Sequence, residues 1–314
     1  MSDWGEESPR AEAASDAVVR LRAGAIDLGL APSVGGAIAW FRTTGTGTGC
    51  IDWLRPATPA ALAAGQVEAM GCFPLVPFSN RVRDGRFRFR DQVIELPPNV
   101  AGQVHVEHGH GWQSAWSVVA RSDTAATLDL EREADAWPFP YAARQAFALA
   151  PDGLTVTLSI RNTGPRPMPV GLGLHPYFPK SRATRLTAEV GQMWATDREV
   201  LPTVLTPPPS AFCLDRGVAI DTIDLDNAFV DWRREATVAW PDRAASLNMT
   251  ASLPLSFLVV YSPPGADYFC AEPVSNCTDA FNLAAAGRDD TGMLVLEPGA
   301  DIAATVRFTC TIAQ

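Results

Sequence analysis

The chain has 314 residues, 47% of them hydrophobic and 19% charged. That is enough apolar material for a large core, which excludes wholesale disorder and leaves room for one large domain or two small ones. Its 25 Lys and Arg against 35 Asp and Glu give a net charge of −10. This is the opposite of the basic footprint of a nucleic-acid binder, so nucleic acid is not an expected partner.

No apolar run reaches the roughly 18 residues of a membrane-spanning helix, so no membrane role is expected. The acidic start, Met1 to Glu7, has no apolar segment of the kind a secretory signal needs. The six cysteines (Cys50, Cys72, Cys213, Cys270, Cys277 and Cys310) are scattered and none forms a C-x-x-C pair. They read as reduced thiols of a cytoplasmic protein.

In chain order, residues 1–16 are polar and Ala-rich and predict a flexible tail, with 17–314 as one unit. Prolines (26) and glycines (24) are spread throughout, which disfavours long helices and suits short strands joined by turns. Strands are predicted at 18–30 and 36–42, then a short helix at 58–64 with Thr58 as N-cap and Pro59 in its first turn. Arg86 to Arg90 alternates arginine with phenylalanine. Further strands are expected at 116–120, 125–131, 142–150, 154–160, 168–174, 187–193, 236–240, 245–250 and 255–261. A helical turn or two is expected at 278–286. In the last strand, 303–312, Ala304, Val306, Phe308 and Cys310 share one face and Thr305, Arg307 and Thr309 the other. Strands without a βαβ rhythm predict an all-β antiparallel sandwich or barrel with a few short helices.

The four histidines are His105, His108, His110 and His175. Histidine suits proton transfer near neutral pH and also binds metals. Gly102-x5-His108-x-His110 matches the opening of a cupin metal motif, but Ser114 and Ala115 stand where its carboxylate belongs, so a metal is not expected. The plain alternative is that these histidines satisfy backbone groups in a Gly-rich turn.

His175, in Leu174-His175-Pro176-Tyr177-Phe178, is placed at the end of an apolar strand because Pro follows it. Glu272 similarly follows Tyr268-Phe269-Cys270-Ala271. A carboxylate there is costly unless paired or used, and burial raises its pKa toward that of a general base. Arg81 can fork onto hydroxyls or a carboxylate, and Asp226 can accept from a polyol. The competing readings are an arginine on a solvated face and an Asp-Asn turn. No nucleophile elbow, P-loop or dinucleotide fingerprint is present, so no nucleotide cofactor is expected.

Taken together, Pro77-Phe78-Ser79-Asn80-Arg81-Val82, His108-Gly109-x-Gly111-Trp112, Leu174 to Phe178, Leu225-Asp226, Glu272-Pro273 with Asp279-Ala280-Phe281-Asn282, and Leu296-x-Pro298-Gly299 resemble the aldose 1-epimerase (galactose mutarotase-like) family, from about Leu21 to the C-terminus. The segment after Glu272 reads Pro-Val-Ser-Asn-Cys rather than the Thr-Gln form of the galactose enzymes, and so resembles a less-characterised bacterial branch.

The resemblance implies a large antiparallel β-sandwich, a catalytic domain over 17–314, a free monosaccharide as partner, and neither metal nor organic cofactor. It implies Glu272 as general base, His175 as general acid and His108 as a second histidine on the ring-oxygen side. Arg81, Asp226 and Asn80 are implied as sugar contacts, with Trp112, Tyr177 or Phe178 as a stacking surface. Glu272 and His175 are expected to face each other across a gap one monosaccharide wide, Glu ionised and His protonated. The alternatives are a non-catalytic carbohydrate-binding or sensor protein on the same fold, and a cupin-like metalloenzyme through His108 and His110.

Overall fold

The computed structural model describes residues 18–46 and 49–313. The predicted tail over 1–16, and the start on which the absence of a signal was read, lie outside the described residues. Two large antiparallel sheets dominate. The eleven-stranded sheet runs in the order Val19–Ala23, Ile26–Ala31, Ala37–Thr46, Cys72–Leu75, Gly173–Pro179, Tyr268–Val274, Phe257–Ser262, Leu225–Phe229, Met193–Thr196, Pro202–Thr206, with Gly49–Asp52 paired to Ala37–Thr46. The nine-stranded sheet runs Ser117–Arg121, Ala125–Arg132, Tyr141–Ala150, Gly153–Asn162, Asp301–Ile312, Ala245–Ala251, Glu235–Trp240, Arg185–Ala188, Val218–Ala219.

One face of each sheet feeds a common core. Leu28, Phe41, Leu174, Leu258 and Phe269 from the first meet Leu154, Val156, Leu247, Val306 and Phe308 from the second. The Phe41 and Phe308 rings touch across the layers at 6.4 Å between centroids. In the last strand Ala304, Val306 and Phe308 point inward as the alternation predicts, while Ile312 at the frayed end is 38% exposed.

The predicted strand 18–30 is two strands, because Gly24 adopts φ +58° and reverses the chain between Ala23 and Ile26. The apolar–polar alternation continues on both sides of Gly24, so a two-residue turn leaves little trace in the pattern. The stretches 168–174 and 187–193 likewise divide, into Met168–Val170 with Gly173–Pro179 and Arg185–Ala188 with Met193–Thr196. Both predicted helices are present. In Pro59–Ala63 the Thr58 hydroxyl accepts from the Ala61 N–H at 3.1 Å, and the second spans Ala280–Ala285.

Candidate active site

Five adjacent strands of the larger sheet build the floor of a cleft. Leu174, Phe178, Phe269, Ala271, Leu258 and Val260 enter the core. The alternate positions therefore face outward, and Phe73, His175, Tyr177, Tyr268, Glu272, Val259, Tyr261 and Asp226 line the cleft. The register makes rows: Phe73 is opposite His175, Val259 opposite Glu272, Tyr177 opposite Cys270 and Asp226 opposite Tyr261. The cleft volume is about 340 Å³, near the lower end of small-molecule sites and sized for one small ligand.

His175 and Glu272 meet on this floor, with Nε2 3.3 Å from Oε1 and side chains 8% and 3% exposed. Two expectations change. Both residues lie inside strands, not at strand ends. The ladder between Gly173–Pro179 and Tyr268–Val274 skips residues 174–176, where Pro176 has no N–H to give, yet the backbone stays extended. The two groups also touch side by side instead of facing across a sugar-wide gap.

Burial holds the His175 imidazole well below its ordinary 6.5, and the nearby His108, Arg55 and Arg81 push it the same way. Burial lifts the Glu272 carboxyl well above 4.5, reinforced by Asp226 and opposed by Arg81. Both shifts favour the uncharged forms, a carboxylic acid beside an uncharged imidazole, while the 3.3 Å contact favours the ion pair expected from sequence. Both descriptions contain one proton, which belongs to the pair. His175 Nδ1 is buried without a side-chain partner, so the Glu272 carboxyl at Nε2 is the acceptor placed to stabilise a positive charge on this ring.

The wall of the cleft comes from two loops. Arg81–Val82 pairs with Val106–Glu107 as a short ribbon, with Arg81 opposite Glu107. Arg81 Nε lies 2.9 Å from Glu107 Oε1, and its Nη2 3.4 Å from Asp226 Oδ2. Burial raises both carboxyls, against the pull of Arg81.

Beside them the Asn80 N–H donates to His108 Nδ1 at 3.0 Å, and the His108 N–H donates to the Asn80 carbonyl at 3.0 Å. With Nδ1 accepting, a neutral His108 carries its proton on Nε2. Burial depresses its pKa to about 3, which favours a neutral His108 that offers the Nε2 proton as a hydrogen-bond donor. The family motif at 279–282 turns out to be a brace. Asp279 donates its N–H to the Arg81 carbonyl at 2.8 Å and accepts from the Arg83 N–H at 3.0 Å, and Asn282 Nδ2 donates to the Arg86 carbonyl at 2.9 Å.

The loop carrying His108 depends on Gly109. Its φ is +67°, and a Cβ there would lie 2.4 Å from Pro77 Cδ and 2.5 Å from the Val76 carbonyl oxygen. Gly109→Ala is expected to destabilise the fold by about 2 kcal/mol and to shift His108. Thermal unfolding checks the first, and the histidine NMR signals of the variant against wild type check the second.

Of the residues named from sequence for the site, Asn80, Arg81, His108, Trp112, His175, Tyr177, Asp226 and Glu272 border this one cleft. Trp112 is 2% exposed, stacks on Phe73 at 5.4 Å and donates to the Glu107 carbonyl. Tyr177 lies flat on His175, with centroids 4.7 Å apart, and the Arg55 guanidinium sits 4.0 Å from the Tyr177 ring and 4.4 Å from Tyr268. Phe178 points into the core against Phe269 and is excluded as a stacking surface. Sequence reasoning missed Glu107, Phe73, Tyr261 and Tyr268. Glu107 was visible as the neighbour of His108, but nothing in its spacing announced its pairing with Arg81.

The histidines of the cupin-like motif do not converge. His108 has φ +61°, so the segment is not the extended strand that would align it with His110. His110 lies within the electrostatic reach of Arg132 and Asp135, and His105 Nδ1 accepts from the Asp84 N–H at 3.0 Å. Among the described residues the donor set that does converge is His175, Cys270 and Glu272, all within 4.8 Å. Those types can hold a soft divalent ion, although burial keeps the Cys270 thiol protonated. Among the described residues no helix is long and apolar enough to cross a membrane.

The fold is thus a large β-sandwich with a small cleft on one sheet face, lined by His175, Glu272, Arg81, Asp226 and aromatic side chains. The sequence profile of the aldose 1-epimerase family matches residues 30–309, and the chain belongs to that family, whose members act on small sugars. It is 32% identical over 254 residues to the uncharacterized protein YphB of Escherichia coli K12, covering 78% of this chain and 84% of that one. A crystal structure from Escherichia coli K12, provisionally described as an aldose 1-epimerase, superposes with a TM-score of 0.84 at 28% identity, covering 94% and 99%. A galactose mutarotase-like protein from Clostridium acetobutylicum shares the fold, with a TM-score of 0.84 at 20% identity, covering 94% and 95%.

Proposed function

We propose that this protein is an aldose 1-epimerase, interconverting the α and β anomers of a free aldose by acid–base ring opening and closure. The observation that carries the reading is the 3.3 Å contact between His175 and Glu272 on the floor of the cleft. Opening a pyranose hemiacetal removes the proton from the O1 hydroxyl and adds one to the ring oxygen. Those two oxygens are bonded to the same carbon, so an acid and a base on one patch of the floor can serve both.

With the pair's shared proton on His175, Glu272 is a carboxylate and His175 an imidazolium. Glu272 then takes the O1 proton while His175 protonates the ring oxygen. The aldehyde turns about C1–C2, and the ring closes on its other face with the roles reversed. An imidazolium in an environment that disfavours its charge is a strong acid, which suits a weakly basic ring oxygen. His108 gives a fixed hydrogen bond beside the reacting atoms. Arg81, Asp226 and Asn80 orient the sugar, and Tyr177 and Trp112 close the apolar side. Arg81 is already committed to Glu107 and Asp226, which fits an uncharged sugar better than a phosphorylated one.

The test is anomer exchange in freshly dissolved α-D-glucose and α-D-galactose, followed by polarimetry. Faster exchange is expected. Sugar binding without faster exchange across a broad panel contradicts the reading and favours the sensor alternative.

The pair also sets a pH dependence. Activity requires the pair to hold one proton. With ordinary values, 4.5 for Glu and 6.5 for His, that state would end as pH rose through 6.5. With His175 lowered and Glu272 raised, the one-proton state begins well below 6.5 and ends only when the raised carboxyl is lost. Both limbs of the expected kcat/KM profile are displaced from these ordinary values. A profile that breaks at 4.5 and 6.5 contradicts the shifts.

A further inference from the structure

We propose that Glu107 and His108 read one hydroxyl of the substrate together, as a matched acceptor and donor, making Glu107 a specificity-determining residue. This rests on the sugar-binding reading above and extends it to a residue outside the acid–base pair.

Glu107 Oε2 lies 4.0 Å from His108 Nε2. That is too far for a direct hydrogen bond, and it is the span that one oxygen atom bridges at about 2.8 Å to each side. The polarity of the two ends is fixed. His108 Nδ1 accepts from the Asn80 N–H, so Nε2 offers a proton. Glu107 Oε1 pairs with Arg81 Nε at 2.9 Å, which leaves Oε2 as the acceptor on the His108 side.

The Glu107 backbone that carries this carboxylate is also held in place. The Glu107 N–H donates to Asn99 Oδ1 at 2.9 Å, Asn99 Nδ2 donates to the Glu107 carbonyl at 2.6 Å, and Trp112 Nε1 donates to the same carbonyl at 3.3 Å. The Glu107 side chain is only 15% exposed and the His108 side chain 11%, so an unfilled donor and acceptor here have little water to fall back on. A hydroxyl satisfies both ends at once. A hydrogen satisfies neither, and a fluorine accepts from His108 but meets Glu107 with like polarity. Such sites discriminate strongly against analogues lacking the group.

The experiment compares wild type, Glu107→Leu and Glu107→Gln on D-glucose, D-galactose and their monodeoxy and deoxyfluoro analogues at each non-anomeric position. Affinity is measured by titration calorimetry and KM and kcat by polarimetry. In wild type, removal of the hydroxyl at one position is expected to weaken binding about 10- to 100-fold. Glu107→Leu should weaken the parent sugar by a similar factor, through KM more than kcat, and add little further loss with that one analogue. Losses at every other position should be the same in both proteins. Glu107→Gln, which keeps an acceptor and the shape, should single out the same position with a smaller effect, and it serves if the Leu variant does not fold.

A uniform loss over all analogues in either variant overturns the proposal and reduces Glu107 to a brace for Arg81. Faster anomer exchange with no position singled out removes this inference and leaves the epimerase reading intact. A singled-out position without exchange does the reverse.

Discussion

Glu272→Gln is expected to lower kcat for anomer exchange by about 10²–10⁴-fold, the range for removal of a single positioned base or acid. The substitution is close to isosteric with the protonated carboxyl that burial favours at this site, so the fold and the melting temperature should hold. The sugar should still bind, because Arg81, Asp226 and His108 are untouched. What disappears is the group that can take the O1 proton. The measurement is kcat by polarimetry, beside a sugar Kd from calorimetry. A variant with near-normal kcat removes Glu272 from its proposed role.

His175→Ala is expected to produce a loss of the same order, with a further distinction. The two residues share one proton, so either alone is without a partner. The double variant should therefore be no slower than the worse single one, because residues that act as a unit are not additive. Multiplicative losses would mean that the two act independently. Removing the imidazole also opens a void beside Phe73 and Tyr177, whose rings lie 4.6 and 4.7 Å from it. A stability loss of about 1–3 kcal/mol should accompany the change. Melting curves separate that effect from the kinetic one.

The sheet architecture was legible because the alternation is strong where one face is buried, as in the Arg86–Phe89 and Asp301–Ile312 strands. Strand division was not, since a two-residue turn at Gly24 or a short polar break barely changes the apolar–polar alternation. The site residues converge because motifs far apart in sequence lie on adjacent strands and on the loops that cover them. Three properties of the site were beyond one-dimensional reading. His175 and Glu272 look like strand-end residues because each is followed by proline, yet the strand passes through. Burial lowers the His175 pKa and raises that of Glu272, which a motif does not report. The donor role of His108 follows from the left-handed turn that brings it to the Asn80 N–H. Glu107 escaped notice because its pairing with Arg81 spans a loop whose length carries no signal.

The most direct test is magnetisation exchange between the α and β anomeric protons of D-glucose and D-galactose by NMR, run with wild type, Glu272→Gln and the Glu272→Gln/His175→Ala double variant at matched occupancy. The account predicts exchange cross-peaks with wild type and, in both variants, rates reduced by the same large factor while binding persists. Equal exchange rates in all three proteins, with sugar bound in each, would show that this pair of side chains does not open the ring.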